Sequence, residues 1–131
     1  MEYNNEMRIE MMNRKMANQA LAIIKDTIKN TNITEDCQGQ FEEFSNSLAV
    51  KKNAVIIDDI VSVYIDSFEA LITEICTALT TNFSDSHFEG FAAYIATYES
   101  KAITFSYTDK NISYTTEYID LTEDDDYDGE E

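Results

Sequence analysis

Three observations predict an α-rich α+β protein. Apolar residues recur at steps of three and four over most of the first hundred positions, proline is absent with only Gly39, Gly90 and Gly129 as glycines, and the period shifts to two from Ile103. The expected architecture is three to four helices around a long central helix, followed by a C-terminal β-hairpin and an acidic tail. A chain of 131 residues, 44% hydrophobic, suits one core. Residues 1–116 are therefore read as a single helical domain with its hairpin, and 117–131 as the tail.

The first helix is expected from Asn4 to Asn30, with Ile9, Met12, Met16, Ala20 and Ile23 on one stripe and Arg8, Arg14, Lys15, Lys25 and Lys29 opposite. A second, short helix begins where Thr34 can cap the acids Glu35 and Asp36, runs through Cys37, Phe41, Phe44 and Leu48, and ends near Val50 to Asn53. The strongest periodicity spans residues 54–81, through Ile57, Val61, Tyr64, Phe68, Leu71, Ile75 and Leu79, and predicts the central helix. Its β-branched runs Val55-Ile56-Ile57 and Val61-Ser62-Val63 leave an initial strand with a shorter helix as the alternative.

Ser86 and Glu89 have capping-box spacing, so a further helix carrying Phe88, Phe91, Ile95 and Tyr98 is expected to about Ser100. Ile103, Phe105 and Tyr107 then alternate with polar residues, 108–111 reads as a turn, and Ile112, Tyr114 and Thr116 alternate again: a hairpin. The expected core comprises Leu21, Ile24, Ile28, Phe44, Leu48, Ile57, Val61, Tyr64, Phe68, Leu71, Ile75, Phe91 and Ile95.

Charge is unevenly placed. Residues 1–52 hold seven Lys/Arg against eight Asp/Glu, whereas residues 53–131 hold two against eighteen, giving −1 and −16. Such a surface repels nucleic acid and anionic membrane and attracts cationic partners from a distance. Acids at i and i+4 of a helix lie about 6 Å apart and acids at alternate strand positions about 6.5 to 7 Å, close to the spacing of phosphates along a nucleic-acid strand. The chain is expected to be a non-enzymatic inhibitor docking on a basic, nucleic-acid-binding surface of a partner protein. The candidate partner-binding anions are Asp58, Asp59, Asp66, Glu69 and Glu74 on the central helix, and Glu117, Asp120, Glu123, Asp124, Asp125, Asp126 and Asp128 in the tail. A self-associating structural or adaptor protein is the alternative, and a homo-oligomer fits it.

Catalytic and cofactor motifs are missing from the sequence. His87 is the only histidine, and no glycine-rich phosphate loop, GxSxG elbow or HExxH pair occurs. Asp124, Asp126, Asp128 and Gly129 match the first half of a calcium loop but lack the closing glutamate at position 12, so neither a metal nor another cofactor is expected. Cys37 and Cys76 read as buried reduced thiols. Neither a signal peptide nor a membrane span is expected, which points to the cytoplasm. The size, the Asn/Ile/Lys-leaning vocabulary, the acidity and the lack of catalytic motifs are similar to those of phage-encoded anti-restriction or anti-CRISPR proteins, a likeness of composition that transfers no site.

Overall fold

The computed structural model describes residues 3–30, 44–57, 68–96 and 99–120, the side chains of 3, 4, 68, 96 and 120 excepted. Six strands form one antiparallel sheet: β1 (Tyr3–Glu10), β2 (Leu48–Lys51), β3 (Ala54–Ile57), β4 (Phe88–Ala96), β5 (Glu99–Thr108) and β6 (Asn111–Asp120), in the order β2-β3-β1-β4-β5-β6. Two helices, α1 (Arg14–Asn30) and α2 (Phe68–Asn82), pack against each other and against one face of that sheet. The α-rich arrangement around a central helix is therefore incorrect.

Each departure has a local cause. At the N-terminus Asn5, Met7, Ile9 and Met11 are buried while Glu6, Arg8 and Glu10 point to the other side, a period of two that makes a strand. The helix starts later because Asn13 caps it, its Oδ1 accepting from the Met16 N–H at 2.8 Å. Ala17, Ala20, Ile24 and Ile28 then form its buried stripe. Of the expected central helix, 54–57 is β3, as β-branched Val55, Ile56 and Ile57 favour, and helix begins only at Phe68. Residues 58–67, with Val61 and Tyr64, lie outside the described residues, as do 31–43 of the expected second helix, which is seen only as a helical turn at 44–46.

The helix expected over 86–100 is the strand β4. β4 carries apolar residues on both faces, Phe88 and Ala92 towards the helices and Phe91, Ala93 and Ile95 away from them, so Phe88, Phe91 and Ile95 mimic helical spacing. Gly90, a poor helix residue, is required where β4 crosses β1: a Cβ there would collide with the Arg8 carbonyl oxygen and lie 2.8 Å from Ile9 Cα. The C-terminal hairpin forms as expected but is longer, and β6 continues through Glu117 to Asp120.

Register fixes the layers. The row Val50, Val55, Ile9, Gly90, Phe105, Tyr114 crosses all six strands on the helix side. Against this side α2 sets Leu71, Ile72, Ile75, Cys76 and Leu79, all essentially inaccessible. Phe88 stacks on Tyr107 at 5.3 Å between centroids, and the Tyr107 hydroxyl donates to the Ser84 carbonyl at 2.9 Å. Of the expected core, Ile24, Ile28, Phe44, Leu48, Leu71 and Ile75 are buried and Leu21 and Ile57 half-buried, whereas Phe91 is half-buried on the opposite side of the sheet and Ile95 is exposed. Two turns use positive φ without glycine: Lys52 (57°) between β2 and β3, and Asp109 (54°) with Lys110 (66°) between β5 and β6. The first is clipped to the end of β1, Asn53 Nδ2 donating to the Met11 carbonyl at 2.7 Å and the Met11 N–H to the Asn53 carbonyl at 2.9 Å.

Two substitutions should move stability in opposite directions in urea unfolding. Gly90→Ala must push β4 away from β1 and is expected to cost about 3 kcal/mol. The double change Asp109→Asn with Lys110→Gly supplies the residues that tolerate a type I′ turn and should stabilise by about 1 kcal/mol.

Candidate interaction surface

Of the expected partner-binding anions, only Glu69, Glu74 and Glu117 have described side chains, and these three do not share one surface. Asp58, Asp59, Asp66, Glu123, Asp124, Asp125, Asp126 and Asp128 lie outside the described residues, and Asp120 ends β6 with its side chain undescribed. Glu69 and Glu74 are exposed on α2, but five residues of helix turn them about 140° apart. Glu69 is also committed, its Oε1 accepting from Lys101 Nζ at 3.0 Å. Glu117 is exposed on β6 and points to the sheet side away from α2. Among the described residues no two acids occupy alternate positions on a strand or i and i+4 on a helix, so the regular phosphate-like series is not formed there.

A different acidic surface does form. Both helices lie on one side of the sheet, and no described helix or strand covers the other. Alternation along each strand populates this open face. One row runs Ala49, Ile56, Arg8, Phe91, Thr104, Thr115; the next runs Glu6, Ala93, Ala102, Glu117; a third places Ile95 and Ser100 beside Ile119. A fourth row holds Lys51, Ala54, Glu10 and Glu89. Phe91, Ala93 and Ala102 form an apolar patch, with Ile56 beyond Arg8 in the same row as Phe91, and four glutamates stand around it: Glu6, Glu10, Glu89 and Glu117. Arg8 and Lys51 are the only cations among its described residues.

Glu10 and Glu89 are direct cross-strand neighbours, a placement that sets their Cβ atoms about 5 Å apart and is unfavourable for like charges without a counter-charge. Arg8 supplies part of one, its Nε lying 3.1 Å from Glu10 Oε2. Glu89 stays exposed. These glutamates escape a helical reading of residues 4–30 and 86–100. The signal that finds them is the strict alternation from Asn5 to Met11, which places Glu6, Arg8 and Glu10 on one side.

Cys76 is buried beneath Tyr114, whose hydroxyl donates a hydrogen bond to the thiol. Burial pushes the thiol up to about 12, against a smaller lowering by that hydrogen bond, so Cys76 carries no thiolate near neutrality. Tyr114 is likewise raised to about 12, first by burial and then by the neighbouring thiol. Cys37 lies outside the described residues. His87 is exposed and precedes β4, where it borders a shallow groove of about 290 Å³ with Glu10, Met12, Asn53 and Glu89. Among the described residues no three His, Cys, Asp or Glu side chains are grouped to hold a metal, and no helix is long and apolar enough to cross a membrane.

Comparison of the chain with protein-family models, with curated proteins and with solved structures finds no match in any of the three. The likeness in composition to anti-restriction and anti-CRISPR proteins gains no support from them.

The Cys76–Tyr114 pair gives a pH signature. In the unfolded chain these groups titrate near their ordinary values of 9.0 and 10.0, and in the folded chain near 12. The stability they contribute is complete below pH 9 and is lost as pH rises towards 12, because the unfolded state releases its protons first. Urea midpoints should fall across that interval, and Cys76→Ala with Tyr114→Phe should flatten the decline. An equally steep decline in the double variant would exclude the pair as its source.

Proposed function

We propose that this chain is a non-enzymatic acidic interaction protein that docks on a basic surface of a partner protein, of the kind that also binds nucleic-acid phosphates. The observation that carries this reading is the open sheet face, where four glutamates border an apolar centre. The two features have separate roles. The carboxylates, with the −16 of residues 53–131, attract and orient a cationic partner, while the half-buried Phe91 and Ile56 with exposed Ile95 supply area for water to leave on contact. The partner matching this face has arginine or lysine around an apolar patch. Docking on such a surface would exclude nucleic acid from it, which makes inhibition the natural consequence.

The test uses the partner recovered by affinity purification with the full chain as bait. Its affinity should fall at least about tenfold as salt rises from about 50 mM to about 500 mM, since charge pairs beyond roughly 10 Å are screened. Duplex nucleic acid should compete. Glu6→Lys with Glu89→Lys should weaken binding by a further tenfold or so, while reversal of Asp26 and Glu74 on the helical side should change it less than about twofold. All four side chains are exposed, so folding is retained. Salt-independent affinity that tolerates the Glu6 and Glu89 reversals would overturn the reading.

A further inference from the structure

β6 is a ten-residue edge strand with no proline and no glycine, and no described strand lies beyond it. Hairpin geometry fixes which of its backbone groups face outward. Thr108 and Asn111 close a two-residue turn and so form a hydrogen-bonded pair. Odd-numbered residues of β6 therefore spend their N–H and C=O groups on β5, and Ile112, Tyr114, Thr116 and Tyr118 direct theirs to the outer edge. Exposed apolar bulk collects at the same place. Of the five exposed large hydrophobics among the described residues, Tyr114, Tyr118 and Ile119 belong to β6, and Ile95 shares a cross-strand row with Ile119.

We propose that β6 pairs antiparallel with β6 of a second copy, joining the two sheets into one about a twofold axis at Thr115. Charge selects the direction. Beyond Asp120 the sequence carries seven acids and no base as far as Glu131. Parallel pairing would bring two such runs together, whereas antiparallel pairing starts them about 33 Å apart, several times the screening length. Charge and packing also select the register. An axis at Glu117 would oppose two carboxylates. An axis at Thr115 sets Glu117 against Ser113 of the second copy, Ile112 against Tyr118 and Tyr114 against Thr116, aromatic and β-branched pairs that strengthen a ladder. It also brings Lys110, one of only two bases after residue 52, opposite position 120, where the other chain's acidic run begins. Four residues on each strand then exchange both of their outward backbone hydrogen bonds.

Sedimentation velocity of the full chain at tens of micromolar should show a dimer that tightens as salt rises, because screening relieves repulsion between two chains of −17 each. This is the reverse of the salt dependence expected for docking on a basic partner, so the two proposals fail separately. Thr116→Pro removes an outward N–H without touching the bonds to β5, and should weaken the dimer at least about tenfold while circular dichroism stays that of the parent. A second measurement decides the matter if that variant does not fold. In a Cys37→Ser background, Thr115→Cys should oxidise to a disulfide-linked dimer, since non-hydrogen-bonded antiparallel neighbours bring their Cβ atoms within disulfide reach. Thr104→Cys, exposed in the same row of the open face but on β5, should not. A monomer at every salt concentration, or a dimer with no cross-link at 115 above the Thr104→Cys level, would overturn the proposal.

Discussion

The fold depends on β1 pairing on both of its sides. β2 with β3 is a local hairpin, and β4, β5 and β6 follow one another as a meander, and within the described sheet the two units are joined by β1, which hydrogen-bonds β3 on one side and β4 on the other. The β1–β4 ladder joins residues that are more than 75 positions apart in sequence, so its closure entropy is met only once much of the chain is organised. What secures it is specific. Ile9 is fully buried between Val55 and Gly90, and the missing side chain at 90 lets the β4 backbone approach Arg8 and Ile9. Once β1 is seated, Met7, Ile9 and Met11 complete the floor on which α1 and α2 rest.

The legible parts of the sequence are those where one period holds without competition. The β5–β6 hairpin is such a segment, because Ile103, Phe105 and Tyr107 are buried in strict alternation and the turn at Asp109-Lys110 separates two similar runs. Ile24, Ile28, Leu71 and Ile75 are buried as expected, although the stripe expected for α1 through Met12, Met16 and Ile23 is displaced to Ala17, Ala20, Ile24 and Ile28. Reading fails where a strand is interior. β4 shows Phe88 and Ala92 to the helices but Phe91, Ala93 and Ile95 to the open side, so no polar face marks its period. β1 fails for another reason: its alternation spans few residues and abuts a genuine helix, and Met12 and Met16 extend its apolar set in helical spacing, although Met12 is exposed. The open face is illegible until both strands are placed, because it is assembled from glutamates on β1, β4 and β6.

Among the described residues the sheet is covered on one side, which leaves an open face and an open edge, and the chain treats them differently. The face is kept soluble by carboxylates set around its apolar centre, including the Glu10–Glu89 neighbours that an uncharged alternative would avoid. The β2 edge is short and ends at Lys51, both of which discourage further pairing. Among the described residues the β6 edge has neither protection. It is long and regular, lacks proline, and Glu117, the one acid within it whose side chain is described, points to the open face. Unprotected edges add strands unless charge prevents it, and the acidic run after Asp120 penalises parallel additions while leaving an antiparallel one open. In the two proposals the same negative charge acts twice: it would attract a cationic partner to the face, and it would limit which strand the edge accepts.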